Sequence, residues 1–238
     1  MMTKTTHFGS NRNFGLSRAI LVYSDGQEAF ATVHEAKPSP DGGAPYLDAG
    51  RPLSPDFLRE LTKALGRTTQ CEVLPPNVLA YTPDMLVWWT RHQRRVMFYG
   101  GSSDGRTLSG KVFPQPPLVF KVCGSELTVR ALAEDRRPRA ETMLMVAPYW
   151  NCDRHGGRVC QGSMRVPGNL CLAARKAWER AFFESEFTHA ALGAQITTHP
   201  EGFLGLWRDL TGSQGRFPVE FLINSGESLR SFAQGREG

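Results

Sequence analysis

Residues 147–164, "APYWNCDRHGGRVCQGSM", place side chains of several chemical types close together. Within ten residues of this run lie Asn151, Cys152, Asp153, His155 and Cys160. Such a set could ligate a metal ion, contain an inert buried thiol or position a cysteine nucleophile. These three chemistries predict different surroundings for the two cysteines.

A zinc site is the first alternative. Its ligands usually come in pairs separated by roughly two to four positions. Cys152 and His155 have this spacing, but no second pair follows, although Cys160 and Cys171 supply further thiols. We therefore predict no metal site, and we expect Cys152 and Cys171 to be small buried hydrophobic residues.

Cys160 has a different sequence environment. It lies in "HGGRVCQGSMRVPGN", residues 155–169, which is rich in glycine and shows no helical or strand periodicity. Such a segment is typical of an irregular loop, where a thiol is partly exposed and available as a nucleophile. A papain-like protease would need a distant His and Asn, and no protease signature surrounds Cys160.

The surrounding elements predict an α+β fold. Short apolar runs between residues 77 and 150 predict an antiparallel β-meander of four to six strands. A helix is predicted before it, over 54–66, where Ser54 can cap and Pro55 takes the first helical position. C-terminal helices are predicted over 169–187 and 200–212, and we expect the helices to pack on one face of the sheet.

The N-terminal region predicts an additional β-hairpin over 18–35, because two apolar runs flank Asp25-Gly26. A Pro- and Gly-rich loop follows. We therefore divide the chain into an N-terminal arm and hairpin extension, 1–50, and a main domain, 51–238. Within the meander Trp88 and Trp89 are adjacent, so one of them is a candidate partner contact unless both sheet faces are covered.

Three segments resemble ubiquitin-conjugating enzymes, which carry a Pro-rich turn and strand, then "HPN", then a loop ending in "GxIC" with the acceptor cysteine. Here "VFPQPPLVFKV" at 112–122, "APYWN" at 147–151 and "GRVC" at 157–160 follow in the same order. Over about 110–225 the resemblance is closer to PRTRC system protein B, a divergent, plasmid-associated prokaryotic branch of this UBC-like superfamily. The helix before the meander and those after the cysteine also agree with that fold.

The resemblance implies thioester chemistry on Cys160, which would accept a ubiquitin-like protein and pass it to an amine. Asn151 would donate a hydrogen bond to the oxyanion, and His155 would tune the thiol or take a proton from the amine. The family's Asn lies eight residues before the cysteine, whereas Asn151 lies nine before Cys160 and Cys152 lies eight before it. Either one residue has been inserted here, or Asn151 is not the equivalent residue.

The resemblance also implies partner proteins, and it leaves an alternative to the transfer function. The partners are a ThiF-type activating enzyme, a small ubiquitin-like protein and a JAB-type peptidase, and no cofactor is implied. The alternative is the same fold without transfer activity, serving as a scaffold or binding component of a plasmid maintenance complex.

Composition and charge bear on whether the protein binds nucleic acid, is exported or spans a membrane. The net charge of +5 comes from interspersed side chains apart from the clusters at 91–95 and 134–139, which we interpret as solvated faces rather than a nucleic-acid surface. The first residues lack the apolar core of a signal peptide, and no window reaches the ~18 apolar residues of a membrane helix. Five cysteines without export signals predict free thiols in the cytoplasm.

Overall fold

The computed structural model describes residues 15–64, 73–101, 103–168, 170–188 and 195–234. The chain forms two compact units, Met1–Glu72 and Val73–Gly238. Within the described ranges no helix is both long and apolar enough to span a membrane.

The first unit contains the predicted hairpin and helix. Strands β1 (Arg18–Ser24) and β2 (Ala29–Lys37) pair antiparallel, and the short strands β3 (Tyr46–Leu47) and β4 (Arg51–Pro52) also pair with β2. Asp25 closes the turn by accepting hydrogen bonds from the backbone N–H groups of the two residues beyond Gly26. Helix α1 spans Pro55–Ala64 and begins as predicted, because the Ser54 hydroxyl accepts from the backbone N–H of Phe57 at 3.1 Å.

The second unit is built on a six-stranded antiparallel sheet, which confirms the predicted meander in its main part. Its spatial order is β13-β11-β10-β9-β6-β5. The strands are β5 (Val78–Tyr81), β6 (Met85–Thr90), β9 (Leu118–Cys123), β10 (Glu126–Ala131), β11 (Met143–Val146) and β13 (Asn224–Ser228). β13 was not predicted, and it completes the sheet from the far end of the chain.

Two strands that lie between β6 and β9 in the sequence are not part of this sheet. β7 (Gln93–Tyr99) and β8 (Lys111–Gln115) form a separate hairpin, with helix α2 (Ser103–Leu108) between them and β12 (Glu186–Phe187) parallel to β7. The "PP" pair after β8 explains the break, because two consecutive prolines donate no ladder hydrogen bonds. β9 then starts anew beside β6.

Helices cover both faces of the large sheet, so the expectation of packing on one face was incomplete. Helices α3 (Arg175–Phe183) and α4 (Gly202–Asp209) contribute to the main core, and the short α5 (Leu229–Gln234) covers the opposite face. Trp88 is buried in the main core, whereas Trp89 is buried in a second cluster with Leu229 and Phe232 of α5. The candidate partner contact at this pair is therefore wrong, because both faces of the strand are covered.

Candidate functional site

Two aromatic residues fix the start of the segment that carries Cys160. Tyr149 is fully buried, and its hydroxyl donates to Oε1 of Gln115 at 2.8 Å. Its ring packs edge-to-face on Phe182, with centroids 5.1 Å apart. Trp150 stacks on Phe203 of α4 at 4.4 Å. The residues that follow are thus anchored to the aromatic core.

The loop between Asn151 and Cys160 closes on itself as a compact hairpin. The backbone N–H of Cys160 donates to the carbonyl of Asn151 at 2.7 Å, and that of Asp153 donates to Arg158 at 2.8 Å. The Asp153 carboxylate accepts from the backbone N–H groups of His155 and Gly156, at 3.2 and 2.6 Å. Backbone pairing therefore determines where Cys160 lies relative to Asn151.

The "GRVC" run attaches this loop to the main sheet. The N–H of Val129 donates to the carbonyl of Gly157 at 2.8 Å, and the N–H of Val159 donates to that of Leu127 at 2.8 Å. Gly157 has φ +74°, and a Cβ there would lie 2.6 Å from the Val129 carbonyl oxygen. Glycine is therefore required at this position for both conformation and close approach.

A buried arginine supports the same loop from beneath. Arg130 on β10 is fully buried, and its Nε donates to Glu227 of β13 at 3.1 Å. Its two terminal nitrogens donate to the backbone carbonyls of Arg154 and His155. The guanidinium thus links three segments that are distant in sequence.

Cys160 is exposed and shares a cavity with Asn151. The cavity has a volume of about 190 Å³ and is lined by Trp150, Asn151, Cys160, Gly162, Ser163, Glu186 and Thr188. Cys160 also borders a second, more polar pocket with Glu126 and Arg158, which form an ion pair. Arg158 is therefore paired with a carboxylate.

The Asn151 amide is oriented by its neighbours. It is only 8% exposed, and its Nδ2 donates to the hydroxyl of Ser185 at 3.3 Å. The Ser185 hydroxyl donates its own proton to the carbonyl of Phe182 at 2.7 Å. It can therefore only accept from Asn151. This assigns the nitrogen of the amide to that contact, and within the described residues its second N–H makes no hydrogen bond.

Cys152 is packed in the main core and, unlike Asn151, does not line the cavity. It is 1% exposed in the main core, where burial raises the pKa of its thiol well above the ordinary range. The expectation of a buried thiol is confirmed for Cys152. For Cys171 it is wrong: this thiol is exposed, because the residue is the extended N-cap of a short 3₁₀ helix, Leu172–Ala174, and the next residue, Leu172, is the buried one.

The sequence of the chain matches the model of a known family. A family model for prokaryotic E2 family D matches residues 57–225. This chain belongs to prokaryotic E2 family D. E2 denotes the ubiquitin-conjugating class, so the superfamily resemblance and the α+β, E2-like fold are confirmed. No curated protein and no solved structure matches the chain.

Of the three site residues predicted from the sequence of this E2-like chain, the structure brings two together. Cys160 and Asn151 meet at one cavity, whereas His155 is exposed and does not line it. The imidazole role of His155 stays a prediction. Within the described part of the chain, no three His, Cys, Asp or Glu side chains are grouped so as to hold a metal ion.

Sequence reasoning missed several residues of the cavity. Glu186 and Thr188 come from β12 and the residue after it, and Ser185 precedes them. The backbone N–H of Glu186 donates to the Ser163 hydroxyl at 2.8 Å, which ties this segment to the loop after Cys160. No local sequence motif predicts these residues, because a two-residue strand has no detectable periodicity.

Proposed function

We propose that this chain carries a ubiquitin-like protein as a thioester on Cys160 and transfers it to an amine. The single observation that carries this proposal is the shared cavity, where an exposed thiol and an oriented amide donor lie at the end of a rigid, backbone-paired loop. Membership in prokaryotic E2 family D supports the reaction class.

Charging is a thioester exchange. The Cys160 thiolate attacks the carbonyl carbon of the thioester between the ubiquitin-like protein and its activating enzyme. A new carbon–sulfur bond forms, the old one breaks, and the sulfur of the activating enzyme leaves as a thiolate. The energy of the thioester is conserved, so no further co-reactant is consumed in this step.

Discharge forms an amide. A target amine attacks the Cys160 thioester, the carbon–nitrogen bond forms, the carbon–sulfur bond breaks, and the amine loses a proton to solvent or a nearby base. The tetrahedral intermediate carries an oxyanion, and the free N–H of Asn151 donates to it. Ser185 acts as a positioning residue, because it holds the amide in this orientation.

Glu186 is the acidic residue of the cavity and has no counterpart among the residues predicted from sequence. Its carboxylate attracts the ammonium form of an incoming lysine and aligns the amine with Cys160. His155 is proposed to assist at the outer side of the loop, by tuning the thiol or accepting the proton of the amine.

The closer resemblance to PRTRC system protein B supports a biological setting for this activity. In that setting the chain acts in the cytoplasm, in a plasmid-associated system with a ThiF-type activating enzyme, a small ubiquitin-like protein and a JAB-type peptidase. The alternative, a scaffold without transfer activity in a plasmid maintenance complex, leaves the exposed thiol of Cys160 without a chemical role.

Trapping the intermediate distinguishes the two functions. Cys160→Ser is incubated with a candidate activating enzyme, the ubiquitin-like protein and ATP, and the products are analysed by intact-mass spectrometry. We expect an oxyester of the ubiquitin-like protein that survives thiol reductant and maps to position 160. If the activating enzyme charges and neither this variant nor the wild type forms an adduct, the scaffold function replaces the proposal.

A further inference from the structure

The N-terminal hairpin ends in a two-stranded ribbon. The short strands β3 and β4 pair with β2 only at residues 36–37 and 32–33. Among the described residues, 22–24 of β1 and 29–31 of β2 therefore pair only with each other. A two-stranded ribbon is only marginally stable by itself, so this end of the hairpin gains most from a further strand.

The edge strand β1 exposes apolar side chains on both faces of the ribbon. Val22 is 71% exposed, and its neighbour Tyr23 is exposed on the other face. Phe30 lies opposite Tyr23, stacks on it at 4.7 Å and is 64% exposed. Soluble proteins usually protect an edge strand with lysine, proline or a bulge. β1, "RAILVYS", contains no lysine or proline, and its pairing with β2 has no register shift.

The outer edge of β1 offers backbone hydrogen-bonding groups in a regular pattern. The N–H of Ala36 donates to the carbonyl of Ser17 at 2.9 Å, and the N–H of Asp25 donates to that of Glu28 at 3.2 Å. Hydrogen-bonded residues alternate along an antiparallel ladder, so the odd-numbered residues of β1 face β2. The even-numbered residues direct their N–H and C=O groups away from β2, and these groups have no partner in the described part of the chain: Arg18, Ile20, Val22 and Ser24.

The β1 strand of a second copy has the complementary pattern. An antiparallel pair centred on Leu21 sets Arg18 opposite Ser24 of the second copy, and the two residues exchange both of their outward hydrogen bonds. Ile20 and Val22 of the two copies pair in the same way. On the other face Leu21 meets Leu21 of the second copy, so apolar side chains meet across the new pair on both faces.

Charge favours the antiparallel direction. The Asp25 carboxylate accepts from the backbone N–H groups of Glu28 and Gln27, which lowers the pKa of this carboxyl and keeps it ionised near neutral pH. Antiparallel pairing places Asp25 of one copy beside Arg18 of the other, whereas parallel pairing would place the two Asp25 carboxylates together. Arg18 already contacts Glu60 at 3.3 Å, but this ion pair is exposed, and a guanidinium has enough donors for two carboxylates.

We propose that two copies of this chain associate through antiparallel pairing of their β1 strands, which joins their N-terminal sheets into one continuous sheet. The second copy is the occupant because its β1 edge carries the same spacing of outward groups and the opposite charge at the matching end. This interface uses only the first unit and is independent of the thioester chemistry proposed for Cys160.

Oxidative cross-linking of the full chain tests the register. In Leu21→Cys the two substituted positions face each other with Cα atoms about 4.5 Å apart, a distance that a disulfide spans. We expect mild oxidation to join two copies at position 21, and peptide mapping distinguishes this link from links through the native cysteines. Tyr23→Cys is the control, because its two copies lie four residues apart along the pair, or about 13 Å. No link at position 21, or equal linking of the two variants, would overturn the proposal.

Sedimentation velocity under reducing conditions tests the association without a cross-link. We expect the wild type to shift from monomer to dimer as its concentration rises. Val22→Lys places a charge at the edge and is expected to raise the dimer dissociation constant at least about tenfold. Val112→Lys, at an exposed valine of β8 in the second unit, is expected to leave it unchanged. A wild type that stays monomeric, or equal effects of the two substitutions, would contradict pairing through β1.

Discussion

The backbone N–H of Cys160 donates to the carbonyl of Asn151 at 2.7 Å, so the proposed nucleophile and the proposed oxyanion donor are joined across the base of one loop. This contact supports the proposal that Asn151, with one inserted residue, takes the place of the family's Asn. Asn151 lines the cavity with Cys160, whereas Cys152 is buried in the main core and does not line it.

Replacing Asn151 by alanine is expected to slow discharge of the Cys160 thioester by about 10²–10³-fold, the usual effect of losing one oxyanion donor. Single-turnover aminolysis of the purified thioester measures this rate. Asn224→Ala, at an exposed position on β13, serves as the control. A rate for Asn151→Ala close to that of the control would remove Asn151 from the mechanism.

Ser185→Ala removes the acceptor that orients the Asn151 amide. We expect about a tenfold slower discharge, since the amide keeps its donor but loses its fixed geometry. The combined variant with Asn151→Ala distinguishes positioning from direct action. If Ser185 acts through Asn151, its substitution has little further effect in the Asn151→Ala background; additive losses would show an independent role.

Gly157→Ala is expected to destabilise the fold by about 1–3 kcal/mol, because φ is positive and the new Cβ meets the Val129 carbonyl. Urea unfolding followed by tryptophan fluorescence measures the change. Gly156→Ala is the matched control, since its φ is ordinary and its Cβ meets only the Asp153 side chain, at 3.1 Å. Equal losses in the two variants would contradict this account of the "GRVC" backbone.

Arg130→Met is expected to reduce the free energy of unfolding by about 3–5 kcal/mol, because it leaves Glu227, whose side chain is 11% exposed, and two loop carbonyls without their donor. Arg158→Met removes an exposed arginine of the same loop, and less than about 1 kcal/mol is expected from its surface ion pair. Chemical denaturation of both variants provides the comparison. A small effect of Arg130→Met would mean that the loop does not depend on this support.

Thiol alkylation separates the exposed from the buried cysteines. Iodoacetamide is expected to modify Cys160, Cys123 and Cys171 in the folded protein and to spare Cys152, whose burial raises the pKa of its thiol and blocks access. Peptide mapping after a short exposure reads out each position. Rapid modification of Cys152 under native conditions would contradict its place in the core.

Local signals were sufficient for much of the fold. The Ser54 cap with Pro55, the Asp25-Gly26 turn and the glycines around Cys160 each describe short-range geometry, and each was predicted from neighbouring residues. The exposure of Cys160 follows from the same reasoning.

Long-range pairing could not be predicted in the same way. Alternating apolar residues do not indicate which sheet a strand joins, so the β7–β8 hairpin and the addition of β13 were missed. Glu186 reaches the cavity from β12, which pairs in parallel with β7. The burial of Trp89 likewise depends on α5, a helix from the opposite end of the chain.

The most direct test of the central claim is a charging reaction with wild-type protein, a candidate ThiF-type activating enzyme, the small ubiquitin-like protein and ATP, resolved on a non-reducing gel. We predict an adduct that collapses on addition of thiol reductant and is absent in Cys160→Ala. No adduct on this chain, in a reaction where the activating enzyme itself becomes charged, would contradict thioester transfer through Cys160.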